Sequence, residues 1–277
     1  MTFDPRLTLV RDGVAAQALE GIVPARSYLA TTPMQAAVPS APLRKAPDLA
    51  AEQADQLLFG EVFDVLAQEG GWAFGQARRD GYVGYVEAAA LIGPPVEITH
   101  RVAGLRTYAF AEPNIKSAPV GLYSMNALAR IEERDGRFVR AAGTGWFVEA
   151  HLAPIGTAET DPAAVAERFL GAPYLWGGRE SLGLDCSGLV QAALHACGIA
   201  CPRDSDLQEA LGRPVEREDL RRGDLVFWHE HVAMLVDEGV IIHANGHHME
   251  VAREPLQAAI ERIARAGAGA PRAFRRP

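Results

Sequence analysis

The sequence predicts a multidomain chain in which two small all-β barrels precede one α+β domain. Three observations lead there. Two similar stretches each alternate short strand-like runs with glycine turns. The composition changes after "GTAETDP". Beyond that point two helical patterns come before a series of strand-like runs, the order of an α+β domain and not of a parallel βαβ array.

Taken in order, residues 1–29 carry a short helical pattern (Val14, Ala15, Ala18, Leu19) ending at Gly21, then extended sequence punctuated by proline. Residues 30–94 and 96–155 form the two barrels. Each runs strand, glycine turn beside an aromatic (Trp72, Phe138), strand, glycine turn and a short aromatic strand. The match of "GYVGYVEAAAL" to "GTGWFVEAHLA" indicates a duplication. Residues 157–277 form the third domain. It opens on "DPAAVAERFLG", where Asp161 is suited to cap a helix, Pro162 to its first position and Gly171 to its end. A second helix is expected over 186–197. Strands follow at "DLVFWH", "HVAMLVD", "GVIIHAN" and "MEVARE", then a helix near 255–265 and a last strand at "RAFRR".

The bulk properties exclude several functions. A net charge of -8 and a pI near 5.5, with no uninterrupted Lys/Arg block, argue against a nucleic-acid binder. No run approaches the 18 or so apolar residues needed to span a bilayer. Three cysteines do not suggest a disulfide framework, and the acid-containing N-terminus does not read as a secretory signal. A cytoplasmic, monomeric protein with reduced thiols is the expectation.

Two of the cysteines end one predicted helix. Cys186, Val190, Ala193 and Cys197 form an apolar stripe, so both thiols are candidates for simple packing, and Cys197 is read that way. Cys186 differs because it lies in the first helical turn, where unpaired N–H groups and the helix dipole favour a thiolate. Strand alternation places His231 with Ala233 and Leu235, and His243 with Ile241. A hairpin at "DEG" brings the two histidines onto neighbouring strands, one as base and the other as its orienter. Structural zinc is disfavoured, because "HACGIAC" and "HEH" contain no CxxC or HExxH pair. His247 and His248 read as loop residues.

Together, "YLWGGRESLGLDCSGLVQAAL", "RRGDLVFW", "HVAML" and "IIHA" closely resemble the NlpC/P60 family of papain-like cysteine peptidases, over about residues 160–277. The barrels resemble bacterial SH3-like modules. The implied fold class is therefore two small all-β SH3-like barrels followed by an α+β papain-like catalytic domain. The resemblance implies Cys186 as nucleophile, His231 as general base, His243 as its orienter and Tyr174 as an aid to the oxyanion site, with no cofactor. It also implies a substrate drawn from bacterial cell-wall peptides.

One branch of the family, with SH3-like modules and an "RDS" after the nucleophile helix, resembles the chain more closely. It implies cleavage of the γ-D-glutamyl–diamino acid bond of muropeptides with a free N-terminal L-Ala, in murein recycling. Asp204 then suits the α-ammonium, although "PRDSDLQ" is equally a good helix cap. Ser187, Ser205 and Arg203 suit the free α-carboxylate of the γ-linked glutamate. Asp185 is expected to cap the nucleophile helix and to point at backbone or substrate amides. Trp176 would form a wall, and Glu61 and Tyr82 of the first barrel would touch substrate. Tyr82 is as readily a barrel-core aromatic, with Tyr85 its substitute. The alternatives are an exported endopeptidase or amidase anchored to the wall by its barrels, a non-catalytic binding module, and a transglutaminase or acyltransferase.

Overall fold

A computed structural model of the chain describes residues 3–277. They divide into two compact units, one ending at Ile155 and the other spanning Gly156–Pro277. No helix among the described residues is long and apolar enough to cross a membrane.

In the first unit, the strands between Thr32 and Ile92 form one seven-stranded sheet. It curls around a core that includes Leu43, Leu57, Phe63, Val65 and Val86. The strands between His100 and Pro154 form two smaller sheets around Val102, Tyr123, Val139 and Phe147. Leu58 and Phe59 leave the first barrel to complete the second core. The N-terminal segment departs from expectation. Val14 and Ala15 lie in a strand (Val14–Ala16) between two others, and only Gln17–Leu19 makes a single 3-10 turn. Ala15 and Ala16 are buried there, so pairing with Val10–Arg11 and Ser27–Leu29 overrides a helical spacing only a few residues long.

The second unit begins with helix α1 (Pro162–Glu167), whose N-cap Asp161 accepts from the N–H groups of Ala163 and Ala164. Helix α2 (Cys186–Ala196) follows, then the short α3 (Ser205–Gln208) and, near the C-terminus, α4 (Leu256–Arg265). Helix α2 is apolar on more than one stripe: every residue from Cys186 to Leu194 is buried, so it runs through the core. Cys197 is its half-buried C-cap.

The sheet is antiparallel throughout. Its order is Arg213–Pro214, Ala273–Arg276, Leu225–Trp228, His231–Asp237, Val240–Asn245 and Glu250–Pro255. Leu256, Ala259 and Ile263 of α4 pack on Ala233, Leu235 and Ile241. Full burial of a Leu or Ile contributes roughly 1.5–3 kcal/mol, enough to fix the helix on that face. The pairing of Met234 with Ile242 and Leu235 with Ile241 puts His231 and His243 on one face, diagonal to each other.

Candidate active site

The approach to the nucleophile is built by the loop before α2. Tyr174 donates its N–H to the Met249 carbonyl and Leu175 donates to Leu184, closing the loop over the hairpin Arg179–Glu180/Gly183–Leu184. Asp185 then caps α2 by accepting from Gly188 N–H at 2.8 Å. Gly188 is required by close approach, because a Cβ there would stand 2.2 Å from the Gly178 carbonyl oxygen.

The Asp185 carboxylate also accepts from Gly177 N–H (2.8 Å), the Ser187 hydroxyl (3.1 Å) and both terminal nitrogens of Arg203 (3.0 and 2.7 Å). The guanidinium further donates to Ser187 Oγ and the Gly178 carbonyl. Arg203 is 1% exposed. This bears on three of the expected site residues. Arg203 and Ser187 are not open donors awaiting a substrate carboxylate, since both are buried and committed to Asp185. Asp185 does turn toward backbone, and its full partner set leaves it as a structural hub.

Cys186 opens α2 with its thiol 4.0 Å from the Glu230 carbonyl, and the N–H groups of Val232 and Ser187 point at the sulfur. The backbone groups before and after His231 thus bracket the sulfur. Glu230 has φ 56° in the turn from Trp228 to His231, in the left-handed region that a non-glycine residue seldom adopts. His231 Nε2 lies 2.9 Å from His243 Nδ1, so Nδ1 of His231 is the ring nitrogen that His243 does not engage.

The electrostatics differ from a helix-end thiolate. Burial, reinforced by the Asp185 charge, pushes the Cys186 thiol up to about 12. Burial pulls His231 down to about 4, with Arg262 adding to the fall, and His243 down to about 3. At rest Cys186 is a thiol and His231 a neutral imidazole, because desolvation outweighs the helix dipole here. Alkylation of Cys186 by iodoacetamide in the substrate-free protein is accordingly expected to quicken about tenfold per pH unit between about pH 6 and 9. A plateau near neutrality, read by mass spectrometry of the Cys186 peptide, would show a preformed ion pair instead.

The remaining candidates fall into two groups. Tyr174 is half-buried, and desolvation followed by the Cys186 and Asp185 charges raises its phenol well above the usual range, so it stays a hydroxyl donor. Trp176 is 54% exposed on the same loop. Asp204 and Ser205 are half-buried at the start of α3, and the Asp204 side chain makes no cap hydrogen bond to that helix. In the other unit, Tyr82 is 4% exposed within the first barrel's core, the place of the barrel-core aromatic among its two readings. Its substitute Tyr85 is half-buried against Phe74. Glu61 is 2% exposed and held by the Arg79 guanidinium and Leu58 N–H, so it too is a paired carboxylate and not an open one.

Sequence reasoning missed Glu254 and Arg262. Glu254 lies 3.2 Å from His243 Nε2 and pairs in bidentate fashion with Arg262 at 3.0 and 2.6 Å. Its signal was the alternation of Glu254 with Ala252, the residue paired with His243. His243, His248 and Glu254 bring possible ligand atoms within 4.8 Å of one another, but the Arg262 cation already occupies the carboxylate.

The NlpC/P60 family profile matches residues 171–264, and that of the bacterial dipeptidyl-peptidase SH3 domain matches residues 43–91. A gamma-D-glutamyl-L-lysine dipeptidyl-peptidase of Bacillus subtilis is 30% identical over 211 residues, 68% of this chain and 71% of the relative. A dipeptidyl-peptidase 6 of Lysinibacillus sphaericus is 24% identical over 225 residues, 72% of this chain and 82% of its own length. The crystal structure of an NlpC/P60 family protein from Bacillus cereus superposes with a TM-score of 0.76 at 21% identity. The match covers 88% of this chain and 99% of that one, a likeness of fold.

Proposed function

Because the chain belongs to the NlpC/P60 family of cysteine peptidases, we propose that it hydrolyses the γ-D-glutamyl–diamino acid bond of murein peptides that begin with a free L-Ala, releasing L-Ala-γ-D-Glu. The Bacillus subtilis relative, a gamma-D-glutamyl-L-lysine dipeptidyl-peptidase by name, supports this substrate class. The observation that carries the mechanism is the bracketing of the Cys186 sulfur by the backbone on either side of His231, whose ring is held by His243.

Cys186 and His231 begin uncharged. As the sulfur attacks the γ-glutamyl carbonyl, Nδ1 of His231 takes the thiol proton, so charge develops only with substrate bound and water excluded. The backbone N–H of Cys186, with the Tyr174 hydroxyl, is suited to the oxyanion. The imidazolium then protonates the leaving amine. A thioester remains, and His231 activates the water that hydrolyses it. Asp204, at the start of α3, takes the α-ammonium of the L-Ala; Ser205 donates to the free carboxylate, and Trp176 walls the groove.

Mass spectrometry of products from L-Ala-γ-D-Glu–diamino acid peptides, with and without an N-acetyl cap, tests this reading. The free peptide yields the dipeptide and the capped one does not. Asp204→Asn is expected to lower kcat/KM on the free peptide by about 10- to 100-fold, the 1.5–3 kcal/mol of a charged hydrogen bond. Equal losses on both peptides would remove Asp204 from ammonium recognition. Rapid digestion of intact wall would favour an endopeptidase. We further propose a cytoplasmic enzyme acting on imported wall fragments, to be checked by cell fractionation.

A further inference from the structure

We propose that Glu254, anchored by Arg262, is a positioning residue that fixes which nitrogen of His243 and of His231 carries hydrogen, and thereby keeps Nδ1 of His231 free for the Cys186 proton. The inference rests on the roles given above to Cys186 and His231.

A neutral imidazole has one N–H and one bare nitrogen, and the partner of one nitrogen decides the state of the other. His231 Nε2 and His243 Nδ1 face each other at 2.9 Å, so one of them donates. If His243 donates from Nδ1, then His231 Nε2 must accept and its Nδ1 must bear hydrogen. Such a ring cannot take a proton from sulfur. If His231 donates from Nε2, its Nδ1 is bare, and His243 must carry its own hydrogen on Nε2. Glu254 lies at that nitrogen, 3.2 Å away. The approach is bent from the N–H axis, so the attraction is chiefly electrostatic.

An ionised carboxylate only accepts, and it selects the productive state of both rings. Arg262 makes that choice firm. Its guanidinium grips both oxygens and holds the carboxyl well below its usual range. It also opposes the attraction of Glu254 for an imidazolium, as does His248 from the adjoining turn, while Asp185 favours charge on His231. The rings are thus oriented without being charged. Position supports the assignment, since His243 is fully buried and Glu254 lies diagonal to it across the strand pair.

Nitrogen-15 NMR of the histidine rings in substrate-free wild-type protein tests the proposal without any variant. His231 and His243 should both carry hydrogen on Nε2, and hydrogen on Nδ1 of either overturns it. Glu254→Gln presents an amide that can donate as well as accept. It should give mixed ring states and a kcat lowered about 10- to 100-fold, with KM nearly unchanged. Its acid limb of kcat should move to lower pH, because the carboxylate that stabilises the imidazolium is gone. Arg262→Met, which keeps the carboxylate, should retain the ring states and lose less activity. Wild-type kcat in Glu254→Gln, or unaltered ring states in that folded variant, refutes the idea. Should Cys186→Ala still hydrolyse substrate, the peptidase reading fails while the ring assignment stands or falls on its own spectrum.

Discussion

Cys186→Ala is expected to lower hydrolysis of the free tripeptide by at least about 10⁴-fold, because the thioester cannot form without the sulfur. Binding should survive. The contacts of the thiol are backbone groups of Glu230, Val232 and Ser187, none of which depends on it for position. The lost burial of one sulfur costs at most about 1–2 kcal/mol. Product mass spectrometry on clean protein, with calorimetry of the peptide, checks both halves. Turnover within a factor of about 100 of wild type would remove Cys186 from the chemistry. His231→Ala should fall as far. His243→Ala should fall less, since an orienter is replaced in part by water.

Arg203→Met should cost roughly 3–5 kcal/mol, the usual penalty for stripping one partner from a buried ion pair. The guanidinium is 1% exposed and its removal orphans a carboxylate that also caps α2 and ties down Gly177. At roughly 3–6 °C per kcal/mol, the melting temperature of the catalytic unit should drop by about 10–30 °C. Activity should fall with it, because the capped turn carries Cys186. An unchanged melting temperature with a raised KM would restore Arg203 to the substrate. Pairing the change with Asp185→Asn should cost less than the two single changes added together, as both charges leave at once.

The contrast between these two residues tells what the sequence can disclose. Cys186 was legible because its meaning lies in local position, the first turn of a helix, and in strand periodicity that delivers His231 and His243. Arg203 was misread because a donor's usefulness depends on what already occupies it, and its partner lies 18 residues away. The surroundings of Glu61 and Tyr82 were hidden for the same reason: the pairing with Arg79 and the depth of the barrel core are tertiary facts. The glycine turns and the duplicated aromatic strands made the barrels readable, whereas the N-terminal strands were hidden behind a helical spacing too short to decide. Glu254 and Arg262 were invisible as a pair because they meet only across the turn from strand to α4 at Pro255.

The Asp185 carboxylate, with its five hydrogen bonds from four residues, has a bearing on how such a protein can change over generations. Each codon of the Asp185–Arg203 couple would look intolerant in a single-site library, since either exchange alone strands a charge in the interior. Only joint replacements would survive selection, so drift at this buried couple has to proceed in correlated steps.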